Sequence, residues 1–306
     1  MRALVSPASL KGVLSAREAA AALADGFRRG GAEAEELPIA DGGEGTAGVL
    51  GAREVRAVTV PDAFGRLREA PIHELGDGTA LVEAAAAIPL DPSRLDPLAA
   101  SSRGLGELIA QVDAPRLLVC LGGTATVDGG AGMREPLDRL PCPTTVLCDA
   151  LVPLVDAARR FAPQKGATPE QVEALERRLL ELEGLAPYRD LRGAGAAGGL
   201  GAAFAALGAT LVPGAQEVLS RLAFRERARQ ADVVVTGEGA VDATTATGKA
   251  PYEALAICRD EKIRCVVFGG RVEVELAGAE TVVLSGDPAR ARQDLEGLGE
   301  RLSGQA

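Results

Sequence analysis

Tryptophan and asparagine are absent from the chain, and histidine occurs once, at position 73. A single histidine excludes catalysis by a histidine pair and any multi-histidine metal site. His73 itself falls in a segment that reads as a strand. The five cysteines, at 120, 142, 148, 258 and 265, form no C-x-x-C pair, and four of them sit in or beside apolar runs. They read as small buried hydrophobes, neither zinc ligands nor disulfides. No apolar run reaches the roughly 18 residues that a membrane span requires. The apolar stretch at residues 3–6 is too short for the core of a signal peptide, so the cytoplasm is the expected location. A net charge of −10, without a basic stripe interleaved with aromatics, argues against a nucleic-acid partner. It does not argue against a phosphate ligand, for which backbone amides and a few local cations suffice.

Lysine is also scarce. Only Lys11, Lys165, Lys249 and Lys262 occur, and the first three each adjoin a glycine. In a chain that otherwise uses arginine, a lysine in a glycine loop suggests that a compact point charge is wanted there. The 306 residues suffice for one large or two ordinary domains.

The most informative stretch is 116–132, RLLVCLGGTATVDGGAG. An apolar run of strand length opens into a glycine loop with two threonines and Asp128. Open α/β sheets build anion sites in this way. The alternative is a tight structural turn. Other segments repeat the theme. Residues 2–6 read as a strand followed by a loop with Lys11, and Ser15 with Glu18 forms a capping box for a helix reaching Gly30. A second strand at 35–39 opens into ADGGEGT, with Asp41 and Glu44 between glycines. Strands at 55–60, 68–75 and 79–84 look antiparallel and break the strand–helix rhythm. They mark an inserted second domain at 55–231, with 1–54 and 232–306 forming the first. A helix follows at 101–112. The strand 144–148 ends at Asp149, a catalytic position in α/β sheets, although an aspartate beginning a turn is the simpler reading. Thr168, Pro169 and Gln171 start another helix. Gly193, Gly195 and Gly198 match G-x-G-x-x-G, but no buried strand precedes them, so close helix packing or a ligand cover is expected. The strand 232–236 opens into the loop 237–251, with Glu238, Asp242 and Lys249, and strands at 265–270 and 281–286 complete the alternation.

In chain order the loops read SPASLKGVLSA, ADGGEGT, SSRGLGELI, LGGTATVDGGAGM, VLCDALVPL, FAPQKGAT, GAGAAGGLGAA and VVVTGEGAVDATTATGKAP. This series resembles the bacterial type I glycerate kinase family over most of the chain. DGGEGT, PQKGAT, AGAAGGLGA and TGEG-x-x-D are its most specific members. The resemblance implies two α/β domains, with a mainly parallel sheet in the first and a mixed sheet in the inserted second, and an active site in the cleft between them. It implies ATP- and Mg²⁺-dependent phosphorylation of D-glycerate or a related small hydroxy acid, with no membrane partner; a homodimer is left open. On the matching residues, Gly122, Gly123, Thr124, Gly237, Glu238 and Gly239 are expected at the nucleotide. Lys11, Lys165 and Lys249 would neutralise phosphoryl or carboxylate charge, and Asp149 would orient the acceptor hydroxyl. Asp41, Glu44 and Arg66 are expected at the acceptor, and Asp128 and Asp242 at Mg²⁺. The chain departs from the family pattern at Ala8, Leu10, Ala86, Val127 and the run Ala150, Leu151 and Val152, mostly where the family is polar. These departures support an alternative: a catalytically impaired homologue that binds nucleotide or a sugar acid without efficient turnover. A kinase with a changed acceptor is a third reading.

Overall fold

The computed structural model describes residues 1–243, 245 and 248–305. Among these described residues eleven strands occur: β1 (Arg2–Pro7), β2 (Glu33–Glu36), β3 (Arg53–Pro61), β4 (Leu67–Glu74), β5 (Ala80–Glu83), β6 (Leu117–Cys120), β7 (Thr144–Cys148), β8 (Thr210–Pro213), β9 (Val233–Val241), β10 (Arg264–Val272) and β11 (Glu280–Val283). They form two sheets in two compact units, Met1–Ala40 with Ala215–Ala306, and Asp41–Gly214.

The first unit carries a five-stranded sheet in the order β11-β10-β9-β1-β2, parallel throughout. Its central strands are continuously apolar because both faces are covered. Alternate residues separate the two sides. Ala3, Val5, Val233, Val235, Val266 and Phe268 pack under the helices Ala16–Arg29 and Ala291–Ser303. Leu4, Val234, Cys265 and Val267 face the other way, onto Leu219, Phe224, Ala254 and Cys258. The first helix starts as expected: the Ser15 hydroxyl accepts from the Glu18 amide, and the Glu18 carboxylate accepts from the Ser15 amide.

The second unit carries a six-stranded sheet in the order β3-β4-β5-β6-β7-β8. β3 and β5 flank β4 antiparallel, whereas β5 to β8 run parallel. The expected combination of a parallel and a mixed sheet is therefore present. Thr168 and Gln171 form their capping box at the start of the helix Pro169–Glu181. Cys120, Cys148, Cys258 and Cys265 are buried and Cys142 is half-buried, none of them in a disulfide. No helix among the described residues is long and apolar enough to cross a membrane.

The unit junctions fall at 40/41 and 214/215, not at 54/55 and 231/232. Two contacts move them. The Ala47 amide donates to Glu83 Oε1 (2.7 Å), tying the short helix Thr46–Val49 to the end of β5. Ala215, Leu219 and Phe224 pack into the core of the first unit. β9 also runs further than the sequence suggested. Glu238 pairs with Gly269 and Ala240 with Arg271, so residues 237–241 are strand rather than loop. In the expected loop 237–251, residues 244, 246 and 247 lie outside the described residues.

Candidate functional site

The candidate residues sort into two groups. In the first unit, chain order and sheet order together define a switch point. From β1 the chain proceeds to β2 on one side, while β9, β10 and β11 extend on the other. Open parallel sheets bind ligands outside the carboxyl ends of their strands at such a point. A cavity of about 340 Å³ lies there, lined by the turn after β1, the ends of β9 and β10, and the segment after β11. Lys11, Glu238, Gly239 and Lys249 all line it. Glu238 is held from two sides. Its Oε1 accepts from Thr245 Oγ1 (2.8 Å), and its Oε2 pairs with Lys249 Nζ (3.1 Å). The Asp242 amide donates to the same Thr245 hydroxyl (3.1 Å), so Asp242 sits beside this network. Lys11 is exposed and makes no ion pair among the described residues. Gly237 has a packing role: a Cβ there would lie 2.3 Å from Phe268 O. At Gly239, which lines the cavity, the nearest atom to such a Cβ would be Leu10 Cα at 3.8 Å, an ordinary contact and not a clash.

In the second unit, DGGEG and LGGT meet backbone to backbone. A Cβ on Gly122 would come within 2.6 Å of Gly43 Cα, which only glycine avoids. Asp149 Oδ2 would lie 3.5 Å from that Cβ, and Glu44 Oε2 would lie 3.8 Å from one on Gly123. Asp41 Oδ1 accepts from the Gly43 amide (3.3 Å). Thus Asp41, Glu44, Gly122, Gly123 and Asp149 are brought together. Thr124 is buried beside them, and its hydroxyl has no hydrogen-bond partner among the described residues. The segment before β6 is stitched to this loop by the Leu90 amide donating to Gly123 O (2.8 Å) and the Ala125 amide donating to Ile88 O (3.0 Å).

Lys165 is 3% exposed, and its Nζ donates to Thr126 O (2.7 Å). Burial pulls its ammonium down to about 8, against the opposing pull of the Asp149 and Asp128 carboxylates. It therefore stays mostly protonated at neutral pH. Burial, reinforced by Asp149, pushes the adjacent Cys148 thiol up to about 12, which makes it inert as a nucleophile.

Two expectations change. Asp128 is 2% exposed, and protein donors occupy its carboxylate. Oδ2 accepts from the Ser102 amide (2.8 Å), the Ser102 hydroxyl (2.7 Å) and the Gly132 amide (3.2 Å), and Oδ1 accepts from the Gly130 amide (3.0 Å). It organises the loop from within the protein. Arg66 lies exposed on the turn after β3, where its amide donates to Asp62 Oδ1 (2.9 Å) and its charge faces Asp91. Its neighbour is a local carboxylate.

The residues that depart from the resembled family are absorbed in packing. Val127 is fully buried in a cluster with Leu154, Leu175 and Leu179, against which Ala150 and Val152 also pack. The glycine run at 193–199 is a packing device. A Cβ on Gly198 would lie 2.2 Å from Thr126 O, and the Gly129 amide donates to Gly198 O (3.1 Å). The sequence reading missed Gly270, Leu284, Gly286 and Asp287, which line the first cavity. The available signal was that FGG and LSG both close parallel strands.

The profile of the Glycerate kinase family matches residues 3–140 and 136–286. Glycerate kinase of Bacillus subtilis (strain 168) is 34% identical, covering 89% of this chain and 85% of its own length. Glycerate 2-kinase of Escherichia coli (strain K12) is 36% identical, covering 85% and 82%. A crystal structure from Salmonella typhimurium LT2, provisionally assigned as glycerate kinase 2, has a TM-score of 0.80 at 31% identity, covering 100% of this chain and 98% of its own. This chain belongs to the glycerate kinase family.

Proposed function

We propose that the protein transfers the γ-phosphoryl group of ATP to a hydroxyl of D-glycerate or a related small hydroxy acid. The observation that carries this reading is the convergence of Lys11, Lys249 and Glu238 on a cavity at the switch point of the parallel sheet. Phosphoryl transfer asks the protein for charge neutralisation and placement more than for covalent chemistry. Lys11 and Lys249 supply the positive charge, and Gly239, which has no side chain, lets backbone approach phosphate oxygens. In the second unit, Asp149 is assigned to orient the acceptor hydroxyl. Asp41 and Glu44 are assigned to the acceptor's polar groups, and protonated Lys165 to its anionic charge.

Among the described residues no three histidine, cysteine or carboxylate side chains cluster as a metal cage. Mg²⁺ takes one or two protein carboxylates and completes its shell with water and phosphate oxygens. Glu238 and Asp242 are the carboxylates assigned to it. When bound, Mg²⁺ supplies neutralisation of phosphate charge.

The test is ADP release with ATP, Mg²⁺ and D-glycerate in a coupled assay. Turnover that falls about 10²–10³-fold in Asp149→Ala is expected, the usual cost of removing a positioned group. Release no faster than in that variant, with nucleotide binding intact, would overturn the reading in favour of the impaired homologue that the apolar Val127, Ala150 and Val152 suggest. Turnover with other hydroxy acids but not glycerate would assign a changed acceptor.

A further inference from the structure

The loop that carries Asp41 and Glu44 is held differently at its two ends. Backbone clamps the entry. A Cβ on Gly42 would lie 2.8 Å from Leu147 Cβ and 2.9 Å from Gly214 Cα, and one on Gly43 would lie 3.0 Å from Gly122 Cα. Glu44 and Gly45 are then exposed, and a Cβ on Gly45, whose φ is +87°, would meet nothing within 4 Å. The chain turns inward again at Thr46 and Ala47, both buried, where the helix Thr46–Val49 begins. The first amides of a helix have no partner within it, and Gly45 at the N-cap has no side chain to offer one. The partner comes from another element. Glu83 Oε1 accepts from the Ala47 amide (2.7 Å), across 36 residues of sequence. Glu83 is the last residue of β5 and stands in register with Cys120 of β6, so it lies at the carboxyl ends of two adjacent parallel strands, beside the turn into Gly122.

We propose that Glu83 is a positioning residue for the acceptor site: by holding the Ala47 amide it fixes where the Glu44 carboxylate stands, and it acts through the loop without touching the acceptor. Glu44 sits between two glycines, so its own backbone has little to resist a swing. The clamp at Gly42 and Gly43 precedes it, and the Glu83 bond follows it within three residues. A carboxylate suits this task, because a charge-assisted hydrogen bond is about twice as strong as a neutral one. Placement matters because a shift of about 1 Å in a positioning group can cost about 10²-fold in rate. The assignment rests on the kinase reading above, which places Asp41 and Glu44 at the acceptor.

The test uses Glu83→Asp and Glu83→Gln in the full chain. It reads calorimetric affinity for D-glycerate, the KM for D-glycerate and for ATP, and amide hydrogen exchange over residues 41–50. Glu83→Asp keeps the charge but withdraws the carboxylate by one methylene from the Ala47 amide. Glu83→Gln keeps an acceptor oxygen at the same reach and removes the charge. Both are conservative changes at a half-buried position, so neither threatens the fold. In Glu83→Asp the Kd and KM for D-glycerate should rise about tenfold, with the KM for ATP within about twofold of wild type. Exchange of the Ala47 amide should quicken at least about tenfold in the same variant. Glu83→Gln should stay within about threefold of wild type in every readout. A Glu83→Gln variant that loses D-glycerate affinity as much as Glu83→Asp would overturn the assignment, because charge and not reach would then be what matters. Faster exchange with unchanged D-glycerate affinity would also overturn it, leaving an anchor that positions nothing. A wild type that binds D-glycerate but phosphorylates no hydroxy acid would sink the kinase reading, and affinity lost in Glu83→Asp but kept in Glu83→Gln would still support the positioning role. A wild type that does not bind D-glycerate would sink both.

Discussion

Two carboxylates beside glycines, Glu238 near the end of β9 and Asp128 in the loop after β6, have opposite surroundings in the two units. In the first unit, Glu238 between two glycines faces a cavity and a lysine, and the adjacent Gly239 lines the same cavity. In the second, the loop after β6 folds into the protein. Gly122 presses on Gly43, a Cβ on Gly129 would strike Leu182, and Asp128 binds Ser102 and two loop amides. The difference lies in what surrounds each segment. The ends of β9, β10 and β11 flank the one at the cavity. Around the buried one, the glycine run at 198–199 and the helix carrying Leu179 come close enough to cover the backbone.

Substitutions at matched positions can break this contrast. The largest effect is expected for Gly198→Ala, where φ is +72° and the new Cβ would lie 2.2 Å from Thr126 O. Strain and overlap together should cost about 4 kcal/mol in urea unfolding. At Gly239, where nothing lies nearer than 3.8 Å, the same change should stay within about 0.5 kcal/mol. Equal losses at both sites would erase the distinction between a packed glycine and one with room for a Cβ.

Asp128→Ala comes next. It strands three buried amides and the Ser102 hydroxyl, so a loss of about 3 kcal/mol is expected, with the Mg²⁺ dependence of catalysis unaltered. A shift in Mg²⁺ requirement without loss of stability would restore the metal role.

Lys165 gives a pH signature of similar or smaller size. Burial lowers its pKa from 10.5 to about 8, so between those values the unfolded chain binds more protons than the folded one. Stability should therefore rise with pH across that window, by about 3 kcal/mol in total, and the gain should be lost as pH falls through about 8. The difference between wild type and Lys165→Met in denaturation at pH 7, 9 and 10.5 isolates this contribution. A constant difference would mean that the ammonium is not buried.

The smallest effect is expected for Arg66→Ala. Its side chain is exposed on a turn and faces Asp91, so stability should change by less than about 0.5 kcal/mol and the KM for the hydroxy acid by less than about threefold. A tenfold rise in KM would return Arg66 to the acceptor site.

Local patterns were legible in proportion to their locality. Ser15 with Glu18 and Thr168 with Gln171 announced two helix starts because a capping box is complete within four residues. The apolar runs around Val233–Val235 and Val266–Phe268 announced doubly covered strands, and the alternation near 55–75 announced an antiparallel pair. Lys11, Glu238 and Lys249 were found from glycine context, and they share one cavity. The walls of that cavity were not legible, because Leu10, Leu284 and Ala291 come from segments far apart in sequence and look like ordinary core residues alone. The tie between Asp128 and Ser102 was not legible either, because the two lie 26 residues apart.

The sequence by itself determined the family, the two kinds of sheet and which residue types stand at strand ends, since these follow from hydrophobic periodicity and from motifs read within a few residues. Tertiary structure alone decided where the units divide, which glycine segment faces a cavity, and whether a given carboxylate faces that cavity or a buried amide. Those outcomes depend on how closely distant backbones approach, and Gly43 on Gly122 and Gly198 on Thr126 show that the deciding distances belong to neighbours the local sequence does not contain.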